Sequence, residues 1–142
     1  RWFVDVEPVA IHASRDDHAM SSMFVVSAGR RIDVGGVTPF AALGAGLLSL
    51  SARAGVLVPL RAGWVARVEL RPQLSIICAE PAVLAGVGAG YRFARDGAPV
   101  TVIAAAEGGP GWARMDCHPD RPLGPTERTW FTGGALSIAV GL

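Results

Sequence analysis

The segment Val65-Ala66-Arg67-Val68-Glu69-Leu70-Arg71-Pro72-Gln73-Leu74 alternates in character with a period of two. A helix would scatter these residues around its circumference. A strand sends Arg67, Glu69, Arg71 and Gln73 to one face and Ala66, Val68, Leu70 and Leu74 to the other. The two faces need opposite surroundings. In a water-soluble sandwich the charged face would point outward, whereas in a small barrel held in a membrane it would line the lumen and the apolar face would meet lipid.

The chain has 142 residues, enough for one domain (1–142) with a sizeable core. Its 13 basic residues, all arginine, face 12 acidic ones for a net charge of +1, so no cationic surplus points to nucleic acid as a partner. Hydrophobic residues make up 51% of the chain, yet it also carries 18 glycines and 10 prolines, and has neither Lys nor Asn. A spanning helix would need roughly 20 mostly apolar residues. The best window, 37–60, contains Pro39, Gly44, Gly46, Gly55 and Pro59 and is cut by Arg53, so no spanning helix is expected. A start at Arg1 rather than Met suggests a mature or trimmed chain, and the absence of a signal segment says nothing against export, since one could have been removed upstream.

Working outward from 65–74, the same alternation recurs in seven other segments. Residues 2–9 place Asp5 and Glu7 opposite Trp2, Val4 and Val6. Residues 23–33 place Ser27, Gly29, Arg31 and Asp33 opposite Phe24, Val26, Ala28 and Ile32. Further strands are expected at 37–48, 55–61, 83–93, 100–107 and 129–142. Short turns are expected at 34–36, 62–63 and 95–99, and longer connections at 13–20, 77–81 and 108–128, with a weakly defined tight connection at 49–53. Gly44 and Gly46, and then Gly86, Gly88 and Gly90, recur at every second residue. That puts them on one face of a strand, where a narrow lumen would need the space for arginine side chains and facing backbones.

Eight strands allow an antiparallel barrel with both chain ends and the short turns on one side and the longer loops on the other. At 26–33, 37–46 and 85–93, and in the alternating C-terminus, the chain resembles the small eight-stranded outer-membrane β-barrel proteins of Gram-negative bacteria, the OmpA/OmpX-like barrels. It departs from them at Leu142, where an aromatic is usual. It departs also at Pro72, which a closed barrel could accommodate only with a bulge or an early strand end. The resemblance implies an all-β, antiparallel up-and-down, eight-stranded transmembrane β-barrel in the bacterial outer membrane, monomeric and without a cofactor. Its partners would be outer-membrane lipid and an extracellular ligand at loops 13–20 and 108–128. Its role would be structural or one of surface interaction rather than catalytic. Trp2, Trp64, Tyr91 and Phe93 fall at the short-turn side, as an interfacial girdle requires, and Trp130 and Phe131 would join the opposite girdle.

The inward set expected from alternation is Asp5, Glu7, Arg31, Arg67, Glu69, Arg71, Arg92 and Glu107, four acids facing four bases. Charges desolvated in a narrow lumen should pair, so a salt-bridged plug is expected, with Asp5 and Glu7 as partners of the arginines on 65–74. Two other functions compete. A soluble or periplasmic lipocalin-like barrel would bind a ligand inside. A lipid A deacylase-like hydrolase would use His12 and Ser14, although no acid can be assigned to orient the histidine. His12 and His18 with Asp116, His118 and Asp120 match no recognised metal spacing, and solvated loop residues are expected there. Cys78 and Cys117, in two connections on the same side, would form a disulfide suited to an exported protein.

Overall fold

The computed structural model describes residues 1–14, 19–76, 78–114 and 124–142. Eight antiparallel strands follow one another in sequence order: β1 (Trp2–Ser14), β2 (Ala19–Arg31), β3 (Thr38–Ala45), β4 (Ser49–Pro59), β5 (Trp64–Ser75), β6 (Glu80–Arg95), β7 (Ala98–Arg114) and β8 (Thr126–Gly141). Each pairs with its neighbour, and β8 pairs back onto β1 to close the ring. Closure leaves no sheet edge to protect.

One end carries short turns. Asp96 and Gly97 both have positive φ, 51° and 81°, the two-residue geometry that matches the twist of the flanking strands. Val34 and Val37 bridge each other across Gly35 and Gly36, and a 3-10 turn, Arg61–Gly63, links β4 to β5.

The strands run further than the sequence suggested, and each extension has a physical reason. Residues 49–53, expected to be a connection, form the first half of β4. The turn lies at 46–48 instead, where Gly46 N–H donates to the Ser49 carbonyl at 2.8 Å. Ser49, Ser51 and Arg53 alternate with Leu50 and Ala52, as a strand with a polar inner face requires. Here Ser49 and Arg53 are buried in a polar interior. Residues 108–114 and 126–128, expected to lie in a long loop, belong to β7 and β8, and 13–14 and 19–20 belong to β1 and β2. Gly109 shows why so glycine-rich a stretch can be strand: a Cβ there would run into the Val83 carbonyl of β6.

Pro72 required a bulge or a strand end, and neither is present. β5 runs straight through it in register with β6, opposite Val83. On the other side the β4–β5 ladder pairs Ser51 with Gln73 and Ala54 with Leu70 but omits Ala52 and Arg53. The missing N–H of Pro72 is therefore accommodated by a local lapse in pairing, without a shift of register.

A real irregularity lies in β1. Its register against β8 shifts between Val6 and Val9, so the inward positions change from Phe3, Asp5 and Glu7 to Ala10 and His12. A bulge of one residue reverses which face the following side chains occupy.

Charged side chains gather inside the ring, and much of its outer wall is apolar. Asp5, Glu7, His12, Arg53, Arg67, Glu69, Arg71 and Glu107 are buried inside the ring, whereas Val26, Leu43, Leu50, Val68, Leu70, Val87 and Ile138 are exposed on the outside. Two apolar clusters flank the charges. Phe3, Phe40, Ala42, Leu57, Val65 and Ile103 pack towards the short-turn end, with Phe3 and Phe40 edge to face at 6.0 Å between centroids. Ala82, Leu84, Ala113 and Phe131 pack towards the other.

Candidate functional site

The charged layer is built from strands on opposite sides of the ring. β5 contributes Arg67, Glu69 and Arg71 at successive inward positions, as its alternation dictates. Across the lumen, β1 contributes Asp5 and Glu7. Arg71 binds Glu7 through two parallel hydrogen bonds, Nη1 to Oε1 at 2.7 Å and Nη2 to Oε2 at 2.6 Å. Its Nη2 also lies 3.3 Å from Glu69 Oε1 and 2.9 Å from Glu107 Oε1. The fork geometry of guanidinium and carboxylate makes this the strongest single pairing in the layer.

Arg53, from β4, is the second centre. Its Nη1 donates to Asp5 Oδ2 at 2.6 Å, while Nε and Nη2 donate to Glu69 Oε2 at 3.2 and 3.0 Å. Arg67 is bound more loosely. Nη1 donates to Ser137 Oγ at 2.8 Å, but its nearest carboxylate oxygens are Glu69 Oε1 at 3.4 Å and Asp5 Oδ2 at 3.9 Å.

His12 and Glu107 close the layer towards the longer connections, with Nε2 and Oε2 2.7 Å apart and no exposure of the histidine. Phe131 lies one inward position closer to the rim on the adjoining strand, facing Ser14 where Gly133 faces His12. A side chain at Gly86 would place its Cβ 3.1 Å from Glu107 Cγ and 3.5 Å from Glu69 Cγ, so that glycine leaves the acids their room.

The structure thus brings together six of the eight residues expected from alternation: Asp5, Glu7, Arg67, Glu69, Arg71 and Glu107. Arg31 and Arg92 stand apart from them. Arg31 is the last residue of β2, and its charged neighbours are Arg92, Asp33 and Arg1. Arg92 points to Thr101 Oγ1 at 3.4 Å. The two further members are Arg53 and His12. Arg53 escaped the sequence reading because 49–53 looked like a loop, although Ser49, Ser51 and Arg53 already shared a parity with Gly55. His12 escaped it because the bulge in β1 reverses parity, and only Pro8 hinted at an irregularity there.

Phe131, expected in an outer girdle, instead points inward with 2% exposure, while Trp112 joins Trp130 on the outside at that end. Trp2, Trp64, Tyr91 and Phe93 are all exposed near the short turns, and Trp64 and Tyr91 stack edge to face.

A cavity of about 20 Å³ beside Asp5, Arg53 and Arg67 has room for roughly one water. Asp5 Oδ1 and Arg67 Nε, both buried, have no hydrogen-bond partner.

At the far rim, Arg114 ties two connections together. Its Nε donates to the Cys78 carbonyl at 2.7 Å and its Nη1 to the Gly124 carbonyl at 2.9 Å, and its backbone N–H donates to Glu80 Oε1 at 2.7 Å. Cys78 is disulfide-bonded, and no described cysteine is free. Cys117, Asp116, His118, Asp120 and His18 lie outside the described residues, as do the rest of 15–18 and 115–123 in the loops expected to meet a ligand. Among the described residues no group of three or more His, Cys, Asp or Glu side chains could hold a metal ion, and no helix is long and apolar enough to cross a membrane. Comparison with protein-family models, with curated proteins and with solved structures finds no match to the chain.

Proposed function

We propose that this chain is a small outer-membrane β-barrel whose interior is an ion-paired plug and whose role is structural or one of surface interaction. The observation that carries the reading is the inverted polarity, a buried charged interior inside an exposed apolar wall. In water such a wall would be an aggregation hazard. In hydrocarbon it is the stable arrangement, because ring closure satisfies the strand backbones internally. Seven strands of 11 to 17 residues reach or exceed the length of roughly 9–11 needed to cross at a tilt, β3 with 8 being the shortest, and the tryptophans towards either end are suited to the interfaces.

The interior speaks against a ligand-binding barrel, since the 20 Å³ cavity is far below the roughly 300 Å³ of an ordinary ligand pocket. It also gives His12 a place in the plug, with Glu107 as its partner and Phe131 between it and the rim. On this reading the working surface is the rim formed by the longer connections, and the monomer is the functional unit.

The test is extraction and gel behaviour. The chain should require detergent or lipid to stay dispersed and should migrate differently in detergent gels before and after boiling. A chain that remains monomeric in plain buffer and shows no heat-dependent migration would sink the membrane reading.

A further inference from the structure

Outside the ring, an open groove of about 470 Å³ crosses the wall of β1 to β5. One edge follows a single cross-strand row in which Trp2 pairs with Arg30, Arg30 with Ala41, Ala41 with Ala54 and Ala54 with Leu70. The outer wall carries exposed leucine, isoleucine and valine interspersed with alanine. Here Ala41 of β3 and Ala52 and Ala54 of β4 present only methyls, so the surface dips between Trp2, Leu43 and Leu70. The dip ends at Pro72, where the β4–β5 ladder lapses.

One end of this apolar groove is charged. Arg30 is exposed, with its guanidinium 5.9 Å from the centre of the Trp2 ring, at the short-turn end. That end is strongly cationic among the described residues: Arg1, Arg30, Arg31, Arg61, Arg92 and Arg95 stand against Asp33 and Asp96. Six minus two leaves +4, which the net charge of the whole chain, +1, conceals.

We propose that the groove is a binding site for an anionic glycerophospholipid, with its phosphate at Arg30 and one acyl chain lying over Ala41 and Ala54 towards Pro72. The inference rests on the membrane reading and adds a specific lipid class and place to it. Apolar wall alone would take any lipid. A guanidinium held on a tryptophan face at the mouth of a chain-wide trough selects for negative charge in the headgroup and fixes where the chain enters. Pro72 then has a consequence beyond its own strand, since the pairing it interrupts lies in the trough.

The experiment is native mass spectrometry of the full chain in detergent, offered equal amounts of phosphatidylglycerol and phosphatidylcholine of identical acyl composition. Phosphatidylglycerol should be retained preferentially. Arg30→Gln should lower that preference about fivefold, the effect of one arginine near a charged lipid surface. Ala54→Leu, an exposed position that can take the larger side chain without disturbing the interior, should reduce retention of both lipids by filling the trough. Arg95→Gln, on the same rim but away from the groove, should change neither. Equal retention of the two lipids, or an equal loss of preference in Arg95→Gln and Arg30→Gln, overturns the site while leaving the membrane reading in place. So does a dimer that Ala54→Leu abolishes while lipid retention is unchanged, because the groove would then belong to a second copy. A chain that stays monomeric without detergent overturns the membrane reading and the lipid site together.

Discussion

Arg71 and Glu7 reach each other from strands on opposite sides of the ring, β5 and β1, and meet through two hydrogen bonds of 2.7 and 2.6 Å. The pair spans the lumen. It therefore acts as a strut between walls that share no ladder, as well as neutralising two buried charges.

Breaking that strut from one side should be costly, because the partner is left charged and unpaired. Arg71→Met should destabilise the barrel by about 3–5 kcal/mol, and adding Glu7→Gln should recover part of the loss. Urea titration followed by the fraction of unheated, fast-migrating barrel measures both. A double variant no better than Arg71→Met would show that the pair does not act as a unit.

Arg53 and Arg67 differ in how they are held, and the difference is measurable. Arg53 donates to two carboxylates, whereas Arg67 has one good bond, to Ser137. Arg53→Ala should cost more than Arg67→Ala, by at least about 1 kcal/mol, since it strips both Asp5 and Glu69 of a close cation. Equal unfolding midpoints would contradict the geometry.

The two apolar clusters flank the charges at both ends, so no steady conductance is expected from the barrel in a planar bilayer. Phe131→Ala should destabilise by about 3–5 kcal/mol through the cavity it leaves. It should nevertheless stay non-conducting, because Phe3 and Phe40 remain packed at the other end. Stable single-channel steps in the wild-type chain would refute the plug.

Gly133→Ala should impair assembly, since the added methyl meets the Ile11 carbonyl of the neighbouring strand at the β8–β1 closure. Overpacking of this kind costs about 1–3 kcal/mol. Gly35→Ala, where a Cβ meets nothing within 4 Å but φ is 55°, makes a useful contrast. It should carry only the backbone strain of a turn, and so assemble better.

Asp33 lies in the turn after β2. The Thr38 hydroxyl donates to its Oδ1 at 2.8 Å, and this bond first, then the charge of Arg1, holds the carboxyl below its usual value. A carboxylate whose value is lower in the folded than in the unfolded chain adds stability above its unfolded value near 4, and that stability is lost as the pH falls through the folded value. Thr38→Val should raise the Asp33 midpoint in an NMR titration. An unchanged midpoint would remove the hydrogen bond as its cause.

Much of the barrel was legible in the chain because strand side chains alternate without exception while the strand stays regular. Arg67, Glu69 and Arg71 could be placed on one face from five residues of sequence, and so could the acids Asp5 and Glu7. What the alternation could not supply was where each strand ends, and with it the identity of loops. Ser49 to Arg53 resembles a connection because its polar residues follow the glycine-rich end of 37–48, yet Ser49, Ser51 and Arg53 keep one parity. Phe131 resembles an interfacial aromatic until its parity with Ala135 and Ser137 is followed. His12 is the harder case, since its orientation depends on a one-residue shift against β8 at which only Pro8 hints within β1.

Pattern along the chain was thus enough to establish eight amphipathic segments, their polar faces and the short turns between them, because each depends on neighbours a few residues apart. Closure of the ring, the bulge at Val6 to Val9 and the choice of Arg53 and His12 over Arg31 and Arg92 depend on distances between strands far apart in sequence. Those distances are set only when all eight strands are in register at once. The physical reason is that a lumen charge is paired by whichever opposite charge faces it across the barrel, and the partner's height on the far wall follows from the cumulative register of every strand between them.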